Sequence, residues 1–180
     1  ENLTTPEKET AVVLCNESLL QSTLHALPEN VRHLNVTMGF PLSHTPAYSF
    51  VSTLLNLYTD GYRPHTGRYL YNEVLSVLKH PYTHLLSPLA GELLHTLTAD
   101  NRFYPFPSEL QKDEALTALF TPAETPLQMC RQVAAALQAV GCRYRNETAA
   151  SDATYDQLYR EALFQAYTRT CRFVRLIESG

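Results

Sequence analysis

The amino-acid sequence predicts a mostly α protein with a small α/β part, and three observations lead to this fold class. Apolar runs typical of strands occur only before residue 40, with a helical pattern between them. From residue 45 onward, apolar residues recur at helical spacing with few interruptions. The 180 residues are 44% hydrophobic and 18% charged, which is enough apolar material for the core of one ordinary domain.

The α/β part is expected to begin with a buried strand over residues 11–15, a continuous apolar run. Asn16 is expected to start a helix that ends before Pro28, and a second strand is expected from Val31 to Met38. Strand, helix and strand at this spacing are typical of one parallel βαβ unit. Because two strands leave a sheet incomplete, we expect the others to come from elsewhere in a longer polypeptide.

The remainder of the chain predicts a helical bundle, with a boundary near residue 44 that separates segments 1–44 and 45–180. Thr45 and Pro46 have the pattern of a helix cap followed by proline in the first turn. The next helix is expected to meet His80 and Pro81, where the residue before proline leaves the α conformation. Polar loops are expected at 60–67 and 141–153, an extended segment at 101–108, and further helices near 89–98, 108–119, 126–140 and 154–178.

Charge argues against a domain that holds nucleic acid by bulk electrostatics, since the net charge is -4. A local basic stripe is compatible with that value, and 11 of the 14 basic residues are arginine. Six arginines are candidate phosphate contacts; the alternative is that they form the solvent face of an amphipathic helix. The candidate DNA-binding residues are Arg143, Arg145, Arg160, Arg169, Arg172 and Arg175.

Catalytic and metal-binding patterns are incomplete. The chain contains neither a GxxxxGK[ST] loop nor a GxSxG elbow, and it has six glycines in all. His80 and His84 have the spacing of helical zinc ligands, but Pro81 lies between them and no HExxH glutamate is present, so we interpret His80 as a helix cap. We therefore predict no catalytic residue, no metal site and no cofactor within this segment.

The four cysteines form no CxxC pair, and reduced, buried thiols in a cytoplasmic protein are expected. Four Asn-x-Ser/Thr sequons favour the opposite compartment, but Asn35 falls inside a predicted strand, so we interpret them as coincidental. The sequence contains no apolar run of 18 residues, and no membrane partner is predicted.

Two segments resemble a known family. LNVTMGFPLSHTPAYSFVSTLLNLY at 34–58 and RYLYNEVLSVLKHPYTHLL at 68–86 are similar in order and spacing to the middle of AddB-like proteins. The likeness lies in the family's N-[IV]-[ST]-M-G-[YF]-P-L turn and in its helix ending in HPY. LFTP at 119–122 and the tyrosine-rich last helix add weaker support, and the resemblance covers most of residues 11–177.

This resemblance implies a partial RecA-like βαβ unit, from the second helicase domain, leading into a helical-bundle insertion. The parent would be an ATP-dependent DNA helicase/exonuclease with a PD-(D/E)XK nuclease domain, acting in double-strand break repair with DNA and a helicase–nuclease partner subunit. Its ATP and Mg²⁺ sites would lie outside this segment. The stretch after the first strand, residues 14–21, lacks the arginines of the corresponding helicase motif, so direct ATP contact is not expected.

Three hypotheses follow. The first is a non-catalytic fragment of such a helicase/exonuclease that shapes a DNA path or a subunit interface. The second is a protein–protein scaffold without a nucleic-acid role, which predicts an exposed apolar patch. The third is a small enzyme that uses a histidine or cysteine, and it requires a pocket in which that residue has an orienting partner.

Overall fold

The computed structural model describes residues 10–28, 31, 34–36, 41–100, 103–147 and 154–179. The chain divides into two compact units, Glu1–Phe40 and Pro41–Gly180. The described part of the chain is mostly helical, as the sequence predicts. Its two strands form one small antiparallel sheet, which the sequence does not predict.

In the first unit the helical segment agrees with its prediction and the strands do not. A 3₁₀ turn, Glu17–Leu19, leads into α1, Leu20–His25, and Asn16 Oδ1 accepts a hydrogen bond from the amide of Ser18 at 3.0 Å. The strand predicted at residues 11–15 is absent: residues 11–14 have no regular secondary structure, and the side chains of Val12 and Val13 are 66% and 86% exposed.

The physical reason is that a strand is stable only when its backbone groups pair with a neighbouring strand. The described residues of the second predicted strand, 31 and 34–36, also lack strand structure, so no described partner exists for residues 11–15. The rest of that predicted strand, and Gly39 and Phe40 of the turn after it, lie outside the described residues. The βαβ unit is therefore not formed in the described part of the first unit.

The described residues of the second unit form α-helices and a short hairpin around one core. Its α-helices and strands are α2 (Pro46–Asn56), β1 (Tyr62–Arg63), β2 (Arg68–Tyr69), α3 (Tyr71–Lys79), α4 (Pro81–Leu86), α5 (Ala90–Ala99), α6 (Pro107–Leu110), α7 (Glu114–Leu119), α8 (Pro126–Glu147) and α9 (Thr154–Glu178), with a 3₁₀ turn at Leu42–His44 and a π-helical turn at Leu57–Gly61. Apolar residues of α2, α3, α5, α7 and α8 are buried together, and Phe50, Leu78 and Leu116 are fully enclosed.

Several helices begin at residues whose side chains accept hydrogen bonds from free amides of the first turn. Thr45 caps α2 by accepting from the amide of Tyr48 at 3.4 Å, with Pro46 in the first helical position as predicted. Asp113 caps α7, accepting from the amide of Leu116 at 2.7 Å. At α8, Gln128 and Thr125 accept from each other's amides, both at 3.2 Å, which is the reciprocal arrangement of a capping box.

His80 lies at the corner between α3 and α4 and has the capping role that the sequence predicts. It follows the last residue of α3, and its Nδ1 accepts a hydrogen bond from the amide of Tyr82, at 3.1 Å, at the start of α4. The hydroxyl of Thr83 donates to the carbonyl of Val77 at 2.6 Å. Both side chains are buried, so the polar groups freed by the break between the two helices are paired inside the protein.

The two strands lie within residues 60–67 and just after, where the sequence predicts only a polar loop. β1 and β2 pair with Tyr62 opposite Tyr69 and Arg63 opposite Arg68, and Gly67 takes a positive φ of 63° in the connecting turn. Residues 103–106 have no regular secondary structure and run beside β2: the amides of Tyr69 and Tyr71 donate to the carbonyls of Pro105 and Phe103. The extended segment predicted for 101–108 is wrong at its end, because α6 begins at Pro107, a residue that is favoured in the first helical turn. Residues 101–102 are outside the described ranges.

Two buried tyrosines connect this region to the end of α7. The hydroxyls of Tyr58 and Tyr69 donate to the carbonyls of Leu119 and Phe120, at 3.0 and 3.2 Å. Burial raises the pKa of both phenols. The carbonyls at the end of α7 thus receive donors in place of water.

Helices α8 and α9 form a long antiparallel hairpin. Arg131 near the start of α8 pairs with Glu178 at the end of α9 at 2.6 Å, and the hydroxyl of Tyr144 donates to Asp156 at 2.8 Å at the other end. α8 continues through Gly141, where the sequence predicts a loop, because a single helical glycine costs only about 1 kcal/mol and both neighbouring turns pack on the core. Residues 148–153 are outside the described ranges. No helix within those ranges is long and apolar enough to cross a membrane.

Acid should weaken the fold through His80. Burial lowers the pKa of His80 to about 4, although a backbone hydrogen bond to Pro46 opposes that shift. The unfolded chain takes up this proton near pH 6.5, so stability is full above that pH and falls as the pH drops toward 4. We expect His80→Asn, which keeps a capping oxygen, to remove about 2 kcal/mol of the loss between pH 7.5 and 4.5. Urea unfolding at both pH values measures this, and parallel losses in the two proteins would contradict it.

Replacement of Gly141 should stabilise the protein. A Cβ at Gly141 meets no atom within 4 Å, so Gly141→Ala gains helix propensity without a clash, and we expect about 0.5–1 kcal/mol. Gly61→Ala is the matched control, because its Cβ would lie 2.9 Å from Cβ of Glu73 and should destabilise. Urea midpoints compare the two, and a lower midpoint for Gly141→Ala would contradict helix continuity at this position.

Candidate functional site

The six arginines predicted to line one groove lie in two groups. Arg143, Arg145 and Arg160 are at the Tyr144–Asp156 end of the α8–α9 hairpin. Arg169, Arg172 and Arg175 are on the last turns of α9, toward the Arg131–Glu178 end. Nine residues of helix separate Arg160 from Arg169, a rise of about 14 Å. The structure therefore does not bring the six side chains to one place.

The first group makes contacts within the chain. Arg143 donates to the carbonyl of Leu85 at 3.1 Å, which ties α8 to α4. Arg160 donates through Nε to the carbonyl of Asp156 at 3.2 Å. Arg145 lies 3.9 Å from Sγ of Cys142. These contacts hold the guanidinium groups of Arg143 and Arg160 against backbone carbonyls.

The second group is exposed and spread around α9. Residues three apart on an α-helix differ by about 60° around the helix axis, so the three arginines are spread over about 120° of the helix surface. At one edge Arg169 lines an apolar groove, and at the other Arg175 lies beside a shallow polar depression with Arg131 and Glu178.

That apolar groove is the most distinctive surface of the second unit. It has a volume of about 190 Å³ and runs between α2 and α9, with residues of α8 beneath. Val133 and Ala166 are buried at its base, whereas Tyr48 and Phe173 at its rim are 48% and 61% exposed. Its lining residues are Leu42, Tyr48, Val51, Leu55, Cys130, Val133, Ala166, Arg169, Thr170 and Phe173.

The apolar surface continues past the groove along the end of α9. Leu176 and Ile177 follow Phe173 at three- and four-residue spacing, so they lie on the same side of the helix. Their side chains are 58% and 43% exposed. Large exposed apolar residues that cluster in this way mark interaction surfaces more often than isolated ones do.

The groove exists because α2 is apolar on two faces. Helical spacing predicts one apolar stripe made of Tyr48, Val51, Leu54, Leu55 and Tyr58. The structure divides this stripe: Leu54 and Tyr58 enter the core, whereas Tyr48, Val51 and Leu55 line the groove. A helix that is apolar all round is normally buried all round. The sequence does contain a signal for the second apolar face of α2: residues 45–59 include no charged side chain.

Charges beside the groove are positive. Arg169 lines the groove, and Arg172 is exposed one turn further along α9. Arg169 is the charged side chain among the described residues that line the groove, and α2 contributes no charge, so the edge of the groove is positive although the chain as a whole is acidic. The surface therefore combines an apolar floor with a basic edge.

A second arrangement, Ser49 beside His80, has the residue types of a nucleophile and a base. Ser49 Oγ lies 3.0 Å from His80 Nε2. Because Nδ1 of His80 accepts from the amide of Tyr82, the neutral ring carries its proton on Nε2. Nε2 then donates to Ser49, whose hydroxyl donates to the carbonyl of Pro46 at 3.0 Å.

A general base needs a free lone pair at the nitrogen that faces the nucleophile. The imidazole of His80 presents a proton to Ser49 instead, so this pair is arranged to hold α2 against α4 and not to activate the serine. His84, which has the spacing of a helical zinc ligand relative to His80, is exposed on α4, and its ring lies close to Gly91 of α5.

Comparison with known proteins identifies no relative: no protein-family model, no curated protein and no solved structure matches the chain.

Alanine substitutions at adjacent residues should separate the two faces of α2. Leu54 is fully buried, so Leu54→Ala should cost about 2–5 kcal/mol. Leu55 is half-buried in the groove, so Leu55→Ala should cost at most about 1 kcal/mol. Chemical unfolding measures both, and equal losses would mean that the groove is packed closed.

Proposed function

We propose that the chain is a non-catalytic helical module of a bacterial ATP-dependent DNA helicase/exonuclease of the AddB-like kind, and that it forms a subunit interface there. The likeness of residues 34–42 and 68–82 supports the family. The single observation that carries the interface role is the exposed apolar groove between α2 and α9, with its extension at Phe173, Leu176 and Ile177.

Among the two roles expected for such a module, chemistry favours the interface over the DNA path. Phosphate-binding surfaces depend on several cations that converge on one backbone. Here Arg143 and Arg160 contact carbonyls of the chain itself, and the three exposed arginines diverge around α9. Apolar side chains cannot donate hydrogen bonds to a phosphate, whereas protein interfaces combine an apolar core with arginine at the edges.

In the parent protein, the first unit would contribute its apolar run to a larger RecA-like sheet. The exposure of Val12 and Val13 supports this, because an apolar run of this kind gains most by adding to a sheet edge. ATP, Mg²⁺ and the nuclease residues would belong to other segments of the parent. A scaffold without a nucleic-acid role is the second candidate, and it shares the same groove.

The interface role predicts a loss of subunit affinity when a charge enters the groove. In the full-length parent, Leu55→Glu should weaken the complex with the helicase–nuclease partner subunit at least tenfold, because an unpaired carboxylate would be buried on association. His95→Glu, on the exposed side of α5, is the control. Sedimentation velocity of the purified subunits measures both, and an unchanged complex would contradict the proposal.

DNA titration tests the alternative role. We compare the 180-residue chain with a variant in which Arg169, Arg172 and Arg175 are all replaced by glutamate. We expect the two proteins to bind single-stranded and duplex oligonucleotides equally weakly. Binding that falls steeply between 50 and 200 mM salt, and that the variant loses, would instead indicate a DNA path.

A further inference from the structure

We infer that the groove between α2 and α9 binds an amphipathic α-helix of a protein partner whose apolar stripe is bordered by carboxylates. This rests on the proposed interface function and names the chemistry of the partner. Two observations carry it together: the groove is bounded by two helices with a third beneath, and its charged edge is arginine.

The apolar floor sets the first requirement on the partner. Val51 and Leu55 lie one turn apart on α2 and line the groove together with Phe173 of α9. A partner helix with large apolar residues at i, i+3, i+4 and i+7 presents the continuous stripe that such a groove covers. An extended strand is disfavoured, because the groove offers it side chains of packed helices and no unpaired sheet edge.

The basic edge sets the second requirement. Arg169 lines the groove and Arg172 lies one turn beyond it, both exposed. A guanidinium group binds a carboxylate through two parallel hydrogen bonds, and such pairs at a rim select partners by charge. The described residues that line the groove include Arg169 and no acidic residue, and Glu178 of α9 is paired with Arg131, so the edge of the groove has a positive charge for the partner.

Charge also argues against a second copy of the same chain in the groove. In a two-fold contact between two grooves, the α9 helix of each copy would lie against the α2 helix of the other, which carries no charge. The arginines of both copies would then lie in the same interface and repel each other. In the part of the chain that the structure describes, no carboxylate lines the groove of either copy. A partner with carboxylates would pair with the arginines that a contact between two copies leaves unpaired.

Fluorescence anisotropy with designed peptides tests the inference on the whole 180-residue chain. The probe is a fluorescein-labelled 18-residue amphipathic helix with a Leu/Phe stripe bordered by glutamates, and its twin has lysines at the same positions. We expect the glutamate peptide to bind at least tenfold more tightly. Arg169→Glu/Arg172→Glu should reverse that preference, and Leu55→Glu should abolish binding of both peptides.

Controls keep the result interpretable. Phe173→Glu is a second groove variant at an exposed position, for which far-UV circular dichroism should match the unmodified chain. Equal binding of the two peptides, or a preference that charge reversal leaves in place, would overturn the inference. So would displacement of the glutamate peptide by an oligonucleotide, or self-association that the peptide competes with.

Failure here is distinguishable from failure of the proposed function. If Leu55→Glu weakens the subunit complex of the full-length parent while the peptides show no preference for carboxylates, the interface stands and only the partner chemistry is wrong. If Leu55→Glu leaves the subunit complex intact, the interface role itself is wrong, whichever peptide binds.

Discussion

The corner between α3 and α4 is the constraint on which the arrangement of the other helices depends. Breaking a helix inside a core frees polar backbone groups, and here His80 and Thr83 pair them without water. The corner also positions Tyr82, whose ring packs edge-on against Phe50 of α2 and Tyr144 of α8, with centroids 5.6 and 6.3 Å apart. Tyr82 thereby contacts both α2 and α8, which supply one wall and the floor of the groove, and α9 packs on α8 and supplies the other wall.

Local signals in the sequence were sufficient where the structure depends on local chemistry. Thr45, Pro46 and His80 end or begin helices through their own side chains, so their roles could be predicted residue by residue. The strand at residues 11–15 could not, because strands depend on partners that no local pattern reveals. The β1–β2 hairpin was missed for a related reason, since two-residue strands are too short to show alternation.

The groove lay beyond sequence reasoning because it arises from a choice between two apolar faces of α2. Spacing alone joins Leu54 and Leu55 into one stripe, and only tertiary packing decides which of them enters the core. The same choice changes the meaning of the arginines. In the sequence alone, Arg169 and Arg172 are candidate phosphate contacts. Beside an apolar floor, Arg169 instead supports the proposed protein partner with carboxylates.

The charge-free stretch of residues 45–59 has a further consequence for how the chain reaches its folded state. While it is unfolded, this segment presents fifteen consecutive uncharged residues, rich in aromatic and β-branched side chains and without a gatekeeping charge until Asp60. Such windows associate between chains when they remain exposed. Docking of α2 onto α3 and α8 removes part of this segment from solvent, whereas the face of α2 that lines the groove stays half-covered in the folded chain.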